Sequence, residues 1–334
     1  MKHLLRITVL LIGLIWILAW AAAGRFDDAP EPSDDGSSQP TGETVSPGER
    51  DSARTLRVLI QGEVQEMDMG TYLLGVLRAE MPASFEEEAL KAQAIAARTY
   101  TLYRIRGGGS ANHPDADACD DHTCCKAYLS AEQTAANWGG MAVYYEEKLE
   151  RAVSETDGEV ILYDGAPILA VFFSSAGGST QGAGDVWMND LPYLKKVDSP
   201  ENEALVPNYY STATFSAEEF KSLVQSAYPA ADLSGDVSAW VRDIVRNESD
   251  YVASVTVGGV KMRGNDLRTV LSLRSPSFTV ETSGSTLTFH VTGYGHGVGM
   301  SQYGANALAK EGYSAEEIVQ HYFSGTSVGY DGAA

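Results

Sequence analysis

The sequence has few basic residues. It contains 24 lysines and arginines against 45 aspartates and glutamates, which gives a net charge of −21 at neutral pH. Proteins that bind nucleic acids usually carry a basic surface that neutralises phosphates. The acidic balance therefore argues against nucleic acid as a partner, and it favours solubility and repulsion from anionic surfaces.

The sequence also lacks internal repeats and the short motifs of several common enzymes. There is no Gly-x-Ser-x-Gly nucleophile elbow, no His-Glu-x-x-His zinc helix and no P-loop. Serine hydrolases of the elbow type, zinc proteases built on such a helix and P-loop nucleotide binding are therefore not indicated.

Cysteine is absent outside one short segment, and Cys119, Cys124 and Cys125 lie there beside His113 and His122. Thiolates and imidazoles at this spacing suit a structural zinc ion with four protein ligands. A disulfide from Cys119 to one of the other two cysteines is the alternative in an exported domain. Four neighbouring aspartates leave a harder cation open as well.

Uncharged residues are concentrated at the N-terminus. The run Ile7–Gly24 has eighteen uncharged residues, and Lys2 and Arg6 precede it. This pattern predicts a membrane anchor over residues 1–24, with the main domain outside the cytoplasm. Cleavage of a signal peptide after the small residues 21–23 is the alternative.

The rest of the chain divides into a polar and a globular part. Residues 25–54 are rich in Asp, Glu, Pro, Ser, Gly and Thr, which is typical of a disordered tether. Residues 55–330 mix helical and strand patterns without strict β-α-β alternation, so we predict one α+β domain with helices and short antiparallel strands around a cleft. Predicted helices cover 68–79, 85–106, 130–138, 216–228, 265–271, 301–311 and 315–323, and predicted strands cover 55–64, several segments of 143–171, a hairpin at 251–262, 278–281 and 287–291.

A carboxylate stands at a predicted corner between two helices. Glu80 ends the first helix because Pro82 forces Met81 out of the helical region. Ser84 and Glu87 have the spacing of a capping box that opens the second helix. The sequence therefore places Glu80 where it either projects into a cleft or is merely an exposed residue at a helix end.

Two further segments carry polar side chains in unusual surroundings. The glycine-rich segment 293–304 contains His296, Ser301 and Gln302, and alternating glycines allow close approach of a ligand or another segment, although a rigid turn is the alternative. Arg98 lies among apolar residues, so it needs an anionic or carbonyl partner. It is either a structural pin behind Glu80 or part of the site.

These segments resemble the stage II sporulation protein D family. The resemblance rests on Leu77-Arg-Ala-Glu-Met-Pro, on Glu88-Ala-Leu-Lys-Ala-Gln-Ala-Ile-Ala-Ala-Arg-Thr-Tyr100 and on Gly293-Tyr-Gly-His-Gly-Val-Gly-Met-Ser-Gln-Tyr-Gly-Ala305, and it extends over about residues 55–322. It implies a lytic transglycosylase that cleaves peptidoglycan strands, especially peptide-free ones, with Glu80 as catalytic acid. An apolar corner would keep Glu80 protonated. We expect Arg98, Ser174, His296, Ser301 and Gln302 to bind sugar.

The resemblance also implies a zinc site of the pattern His-x5-Cys-x4-His-Cys. His113, Cys119 and Cys125 match it, whereas Cys124 occupies the position of the second histidine, and His122 is a possible substitute ligand. The family often has Tyr-His-Ser where this chain has Phe172-Phe173-Ser174. This departure removes two polar groups that could contact sugar.

Two other functions remain open from the sequence. Some relatives enhance an amidase, so the chain could bind glycan without cleaving it and activate a separate cell-wall hydrolase. A zinc hydrolase that cuts amide bonds would need an open coordination position, which four protein ligands disfavour. The resemblance further implies a cell-wall amidase and a small membrane protein as partners during engulfment of a forespore.

Overall fold

The computed structural model describes residues 49–187 and 189–332. The predicted anchor, residues 1–24, and most of the predicted tether lie outside these described residues. Within the described ranges, no helix is both long enough and apolar enough to cross a membrane.

Helices and short strands follow one another irregularly, which confirms a mixed architecture of helices and small sheets. The helices are α1 (Glu49–Ser52), α2 (Met69–Glu80), α3 (Glu87–Arg106), α4 (Ala131–Trp138), α5 (Ala142–Ser154), α6 (Ala183–Val186), α7 (Ala217–Ala227), α8 (Gly264–Leu271), α9 (Gln302–Lys310) and α10 (Ala315–Tyr322). The strands are β1 (Thr55–Ile60), β2 (Glu63–Asp68), β3 (Ala118–Cys119), β4 (Glu159–Tyr163), β5 (Ala166–Pro167), β6 (Phe172–Phe173), β7 (Tyr210–Ser216), β8 (Val241–Arg246), β9 (Val252–Val257), β10 (Val260–Met262), β11 (Phe278–Ser283), β12 (Thr286–Thr292), β13 (Met300–Ser301) and β14 (Ser327–Tyr330).

The strands form small sheets that are mainly antiparallel, as predicted. Their orders are β2-β1-β3, β14-β4-β5, β10-β9-β8 and β11-β12-β7. Two strand pairs are parallel instead, β1 with β3 and β6 with β13. Both join segments that are distant in the sequence, and both lie next to residues of the candidate site.

Helix α3 lies at the centre of the larger hydrophobic core. It packs against α2, α5, α9, α10 and strand β4. Its buried face is rich in alanine, and small side chains allow these elements to approach closely. Residues in the stretch of chain from β7 to β12 form a second hydrophobic cluster, which contains Phe220, Trp240, Phe278 and Phe289.

The predicted type of secondary structure is wrong for one segment. Residues 142–154 form helix α5, although the sequence pattern over 143–171 indicates short strands. The buried residues of this helix are Lys148, Leu149, Ala152 and Val153, which share one helical face. Val143 and Tyr144 have high strand propensity but are exposed on this helix, so propensity alone predicts the wrong secondary structure here.

The folded part begins earlier than the predicted boundary at residue 55. Asp51 in α1 is 3% exposed and forms an ion pair with Arg98, which is 1% exposed. The guanidinium also donates hydrogen bonds to the carbonyl oxygens of Glu159 and Val153. The structure therefore makes Arg98 a structural pin, and the prediction that Arg98 contacts substrate needs correction because its side chain is enclosed.

Arg98→Met is expected to lower the free energy of unfolding by about 3–5 kcal/mol, because the substitution leaves Asp51 as an unpaired buried charge. Urea denaturation measures this change. Lys195→Met is the matched control, since Lys195 pairs with Asp190 at the surface and such pairs contribute about 1 kcal/mol or less. Similar losses in both variants would contradict the prediction.

Candidate functional site

Glu80 is the last residue of helix α2, at the predicted corner. The helix begins after Asp68, whose carboxylate accepts a hydrogen bond from the backbone N–H of Thr71. It stops because Met81 adopts an extended backbone, with φ −129° and ψ 136°, in front of Pro82. The corner therefore forms as the sequence predicts.

The start of the next helix differs from the prediction. Ser84 and Glu87 do not form a capping box, because Glu86 occupies the N-cap position and caps without its side chain. The Asn306 side chain on α9 instead accepts a hydrogen bond from the Glu86 N–H at 2.8 Å. Lys148 on α5 donates to the carbonyl oxygen of Phe85. Distant residues therefore fix the corner that carries Glu80.

The Glu80 carboxylate is partly exposed and is oriented by one hydrogen bond. Its Oε1 atom accepts from the backbone N–H of Ala127 at 3.1 Å. This is the one hydrogen bond of Glu80 within the described parts of the chain, so Oε2 is available for proton transfer. A carboxyl with one oxygen fixed and the other free is suited to general acid catalysis.

Lys126 lies beside Glu80 and was missed by the sequence analysis. Its ammonium nitrogen is 4.0 Å from the ring centroid of Tyr100 and 3.6 Å from that of Phe172. Burial lowers the pKa of Lys126 to about 8, and the negative charge of Glu80 acts in the opposite direction. We call Glu80, Lys126, Ala127, Phe172 and His296 the Glu80 site.

His296 reaches this site from the glycine-rich segment, but both of its ring nitrogens are occupied. Nδ1 accepts from the backbone N–H of Val298 at 3.2 Å, so Nε2 carries the proton and donates to the Phe172 carbonyl at 3.1 Å. Burial, together with the positive charges of Lys126 and Arg268, lowers the pKa of His296 to about 3. His296 is therefore neutral and fixes the backbone rather than transferring protons.

The parallel pairing of β6 with β13 brings the glycine-rich segment to the Glu80 site. Met300 is paired with Phe172, and Ser301 with Phe173. Gly299 has a positive φ of 77°, and a Cβ atom there would lie 2.2 Å from the carbonyl oxygen of Val171. The close approach of the two segments therefore requires glycine at this position.

The side chains of Ser301 and Gln302 contact other residues inside the protein. Ser301 is fully buried, caps helix α9 and donates to Glu201. Gln302 is also buried and lies 3.5 Å from Gln93. Both side chains are therefore engaged within the protein, and their contact with a glycan stays a prediction. Ser174 is partly exposed at the end of β6 and remains a candidate.

The structure brings the four predicted metal ligands together. The ligand atoms of His113, Cys119, Cys124 and Cys125 all lie within 4.8 Å of one another. Nδ1 of His113 lies 3.0 Å from the carbonyl oxygen of Ala116, which leaves Nε2 directed at Cys125 Sγ at 3.2 Å. Such a second hydrogen bond is how a ligating histidine is commonly oriented.

This donor set fits a soft or borderline metal ion. Three sulfur atoms and one imidazole nitrogen make four protein donors, the number and type that are typical of structural zinc. Burial raises the pKa of Cys124, but hydrogen bonds from Ser110 and Asn112 outweigh it and lower the pKa to about 7. The cysteines are free thiols. His122 is exposed and outside the cluster, so Cys124 is the fourth ligand candidate.

Comparison with known proteins identifies the family. The family profile described as stage II sporulation protein matches residues 61–163. A stage II sporulation protein D from Bacillus amyloliquefaciens is 38% identical over 79% of this chain and 75% of the relative. The chain belongs to the stage II sporulation protein D family. The protein of that name from Bacillus subtilis (strain 168) is 36% identical over the same two fractions.

A further relative carries a different name. A protein named amidase enhancer from Bacillus subtilis is 29% identical over 77% of this chain and 40% of its own length. In the present chain, the part matched by the family profile contains Glu80, Lys126 and the Cys/His cluster. The glycine-rich segment with His296 lies outside that match.

Proposed function

We propose that this chain is a lytic transglycosylase that cleaves the bond between N-acetylmuramic acid and N-acetylglucosamine in peptidoglycan strands. The observation that carries this proposal is the Glu80 carboxyl at a helix break, with Oε1 held by Ala127 and Oε2 free. Aromatic side chains of Tyr100, Phe172 and Trp187 lie around the neighbouring Lys126 and His296. Of these, Trp187 is partly exposed, and an exposed aromatic surface is well suited to pack against a sugar ring.

The reaction needs one carboxyl group. Protonated Glu80 would donate its proton to the glycosidic oxygen as the bond to the anomeric carbon breaks. The 6-hydroxyl of the same muramic acid then attacks the anomeric carbon and returns its proton to Glu80, which gives a 1,6-anhydro ring without water. Glycosidases with two carboxylates place the second one close to the first. The buried Glu201 is engaged by the Ala176 N–H and by Ser301.

The Cys/His cluster would serve this reaction structurally. His113, Cys119, Cys124 and Cys125 would hold zinc, which supplies a fixed cross-link of the loop rather than a reacting group. Cys125 is followed by Lys126 and by Ala127, the residue whose N–H orients Glu80. We also propose that the chain is exported and held by its N-terminal segment, which would bring the domain to the cell wall during sporulation.

A second candidate function is activation of a cell-wall amidase by a glycan-binding protein without its own activity. Phe172 and Phe173 are buried apolar residues at positions where the family often has tyrosine and histidine. Their rings pack on Lys126 and His296 and offer no hydrogen bond to a sugar. The relationship to a protein named amidase enhancer supports this alternative.

Mass spectrometry of purified peptide-free strands, incubated with the full-length chain, distinguishes the candidates. Strands ending in 1,6-anhydromuramic acid are the expected product. Reducing ends that have gained water would indicate a hydrolase and contradict the transglycosylase proposal. Strands that are bound but unchanged would favour the amidase activator.

A further inference from the structure

Lys126 is a buried cation without an ion-pair partner among the residues that the structure describes. The residue is 8% exposed, and the contacts of its ammonium group are the ring faces of Tyr100 and Phe172. Burying a lysine charge costs free energy unless an anion compensates for it. Ring faces attract a cation but do not accept its N–H groups as a carboxylate does. The ammonium therefore has hydrogen-bonding capacity left for an anion.

The backbone places this cation next to the group that reacts. Lys126 immediately precedes Ala127, whose N–H binds Oε1 of Glu80 at 3.1 Å. On its other side it follows Cys125, whose sulfur lies 3.2 Å from His113 Nε2. These contacts fix the chain on both sides of Lys126, and the rings of Tyr100 and Phe172 hold its ammonium group.

The proposed substrate carries an anion at a suitable place. Each muramic acid has a lactyl ether on O3, and its carboxyl group is free when no peptide is attached. With a stem peptide attached, the same group is a neutral amide. An ammonium near the cleaved bond would distinguish the two forms, because only the carboxylate gives a charge-assisted hydrogen bond with both groups ionised.

We propose that Lys126 binds the lactyl carboxylate of the muramic acid at the cleavage point and thereby selects strands without stem peptides. This inference rests on the proposed function, since it needs a glycan strand at Glu80. It assigns to Lys126 a role in specificity that is separate from proton transfer. A charge-assisted hydrogen bond corresponds to a preference of about 10- to 100-fold.

The test compares two versions of the same strand. Peptide-free strands with free lactyl carboxylates are compared with strands whose carboxyls have been converted to methylamides, using the full-length chain and its Lys126→Met variant. We expect wild type to prefer the carboxylate strand by about 10- to 100-fold in kcat/KM. We expect Lys126→Met, which keeps the apolar stem between the two rings, to lose activity on the carboxylate strand and to show almost no preference.

Lys126→Arg should retain most of the preference, because it keeps the charge. Equal cleavage of both strands by wild type, or an unchanged preference in Lys126→Met, would overturn the inference. A structural cation–π role predicts an equal loss on both strands. Should Lys126→Met fail to fold, equal cleavage of both strands by wild type would still overturn the inference, and Lys126→Gln replaces Lys126→Met as the uncharged variant.

Binding separates this inference from the proposed function. The affinity of the Glu80→Gln protein for both strands is measured without cleavage. A preference for the carboxylate strand in a wild-type chain that cleaves neither strand would support Lys126 recognition and reject the transglycosylase. Cleavage without any carboxylate preference in rate or affinity would support the transglycosylase and reject recognition by Lys126.

Discussion

Replacing Glu80 by glutamine is expected to reduce the rate of strand cleavage by about 10²–10⁴, the usual contribution of a general acid. Glutamine keeps an oxygen that can accept the hydrogen bond from Ala127. It cannot donate a carboxyl proton to the leaving oxygen. The initial rate of formation of 1,6-anhydromuramic ends measures the effect, and thermal unfolding shows that the domain remains folded.

Glu86→Gln is the matched control for this substitution. Glu86 lies in the same corner and is exposed, and its contact with Asn306 uses only its backbone N–H. The same chemical change should therefore leave the cleavage rate within about twofold, because surface substitutions seldom change stability by more than about 0.5 kcal/mol. Undiminished cleavage by Glu80→Gln would rule out Glu80 as the acid.

With zinc bound at the Cys/His cluster as proposed, removing it is expected to destabilise the domain by several kcal/mol. A ligand that binds only the folded state stabilises it by about 4.1 kcal/mol at a concentration of 1,000 times Kd, and tighter binding gives more. The four ligands come from β3 and from loops on either side of it, so the metal would cross-link these segments. Thermal unfolding with a chelator and after return of zinc measures the loss and its recovery.

Elemental analysis of variants gives the control for this prediction. Cys125→Ser should lose the metal, whereas His122→Ala should retain one metal per chain because His122 is exposed and outside the cluster. A metal-free protein that is unaffected by chelators and contains a disulfide at Cys119 would contradict the prediction. Immediate and fully reversible loss of activity in a chain that stays folded would point instead to a catalytic metal.

Local rules were sufficient where a few neighbouring residues decide the structure. Pro82 ends α2 at Glu80, and Ser130 and Ser216 form capping boxes with Gln133 and Glu219. The Cys/His ligands also lie close in sequence, so their grouping was visible from spacing alone. In these cases the competing conformations are few, and steric limits or short loops select among them.

Long-range partners account for what the sequence did not reveal. Ser84 has the local signature of a cap, yet Asn306 from the other end of the chain supplies the hydrogen bond. Ser301 looks exposed in a glycine-rich loop, yet Glu201 encloses it. Lys126 carries no motif, and its importance follows only from the rings and the carboxylate that the fold places beside it. No periodicity in the sequence encodes such contacts.

The parallel pairing of β6 with β13 also sets the order in which the site can form. The two strands are separated by residues 174–299, which include the second hydrophobic cluster. Contacts between such distant segments form late in folding, because the intervening chain must first be ordered. A chain ending before His296 would possess Glu80 and all four metal ligands yet lack both His296 and β13, which complete the Glu80 site. The Glu80 site is therefore complete only when nearly the entire polypeptide has been synthesised, so an incomplete chain lacks part of it.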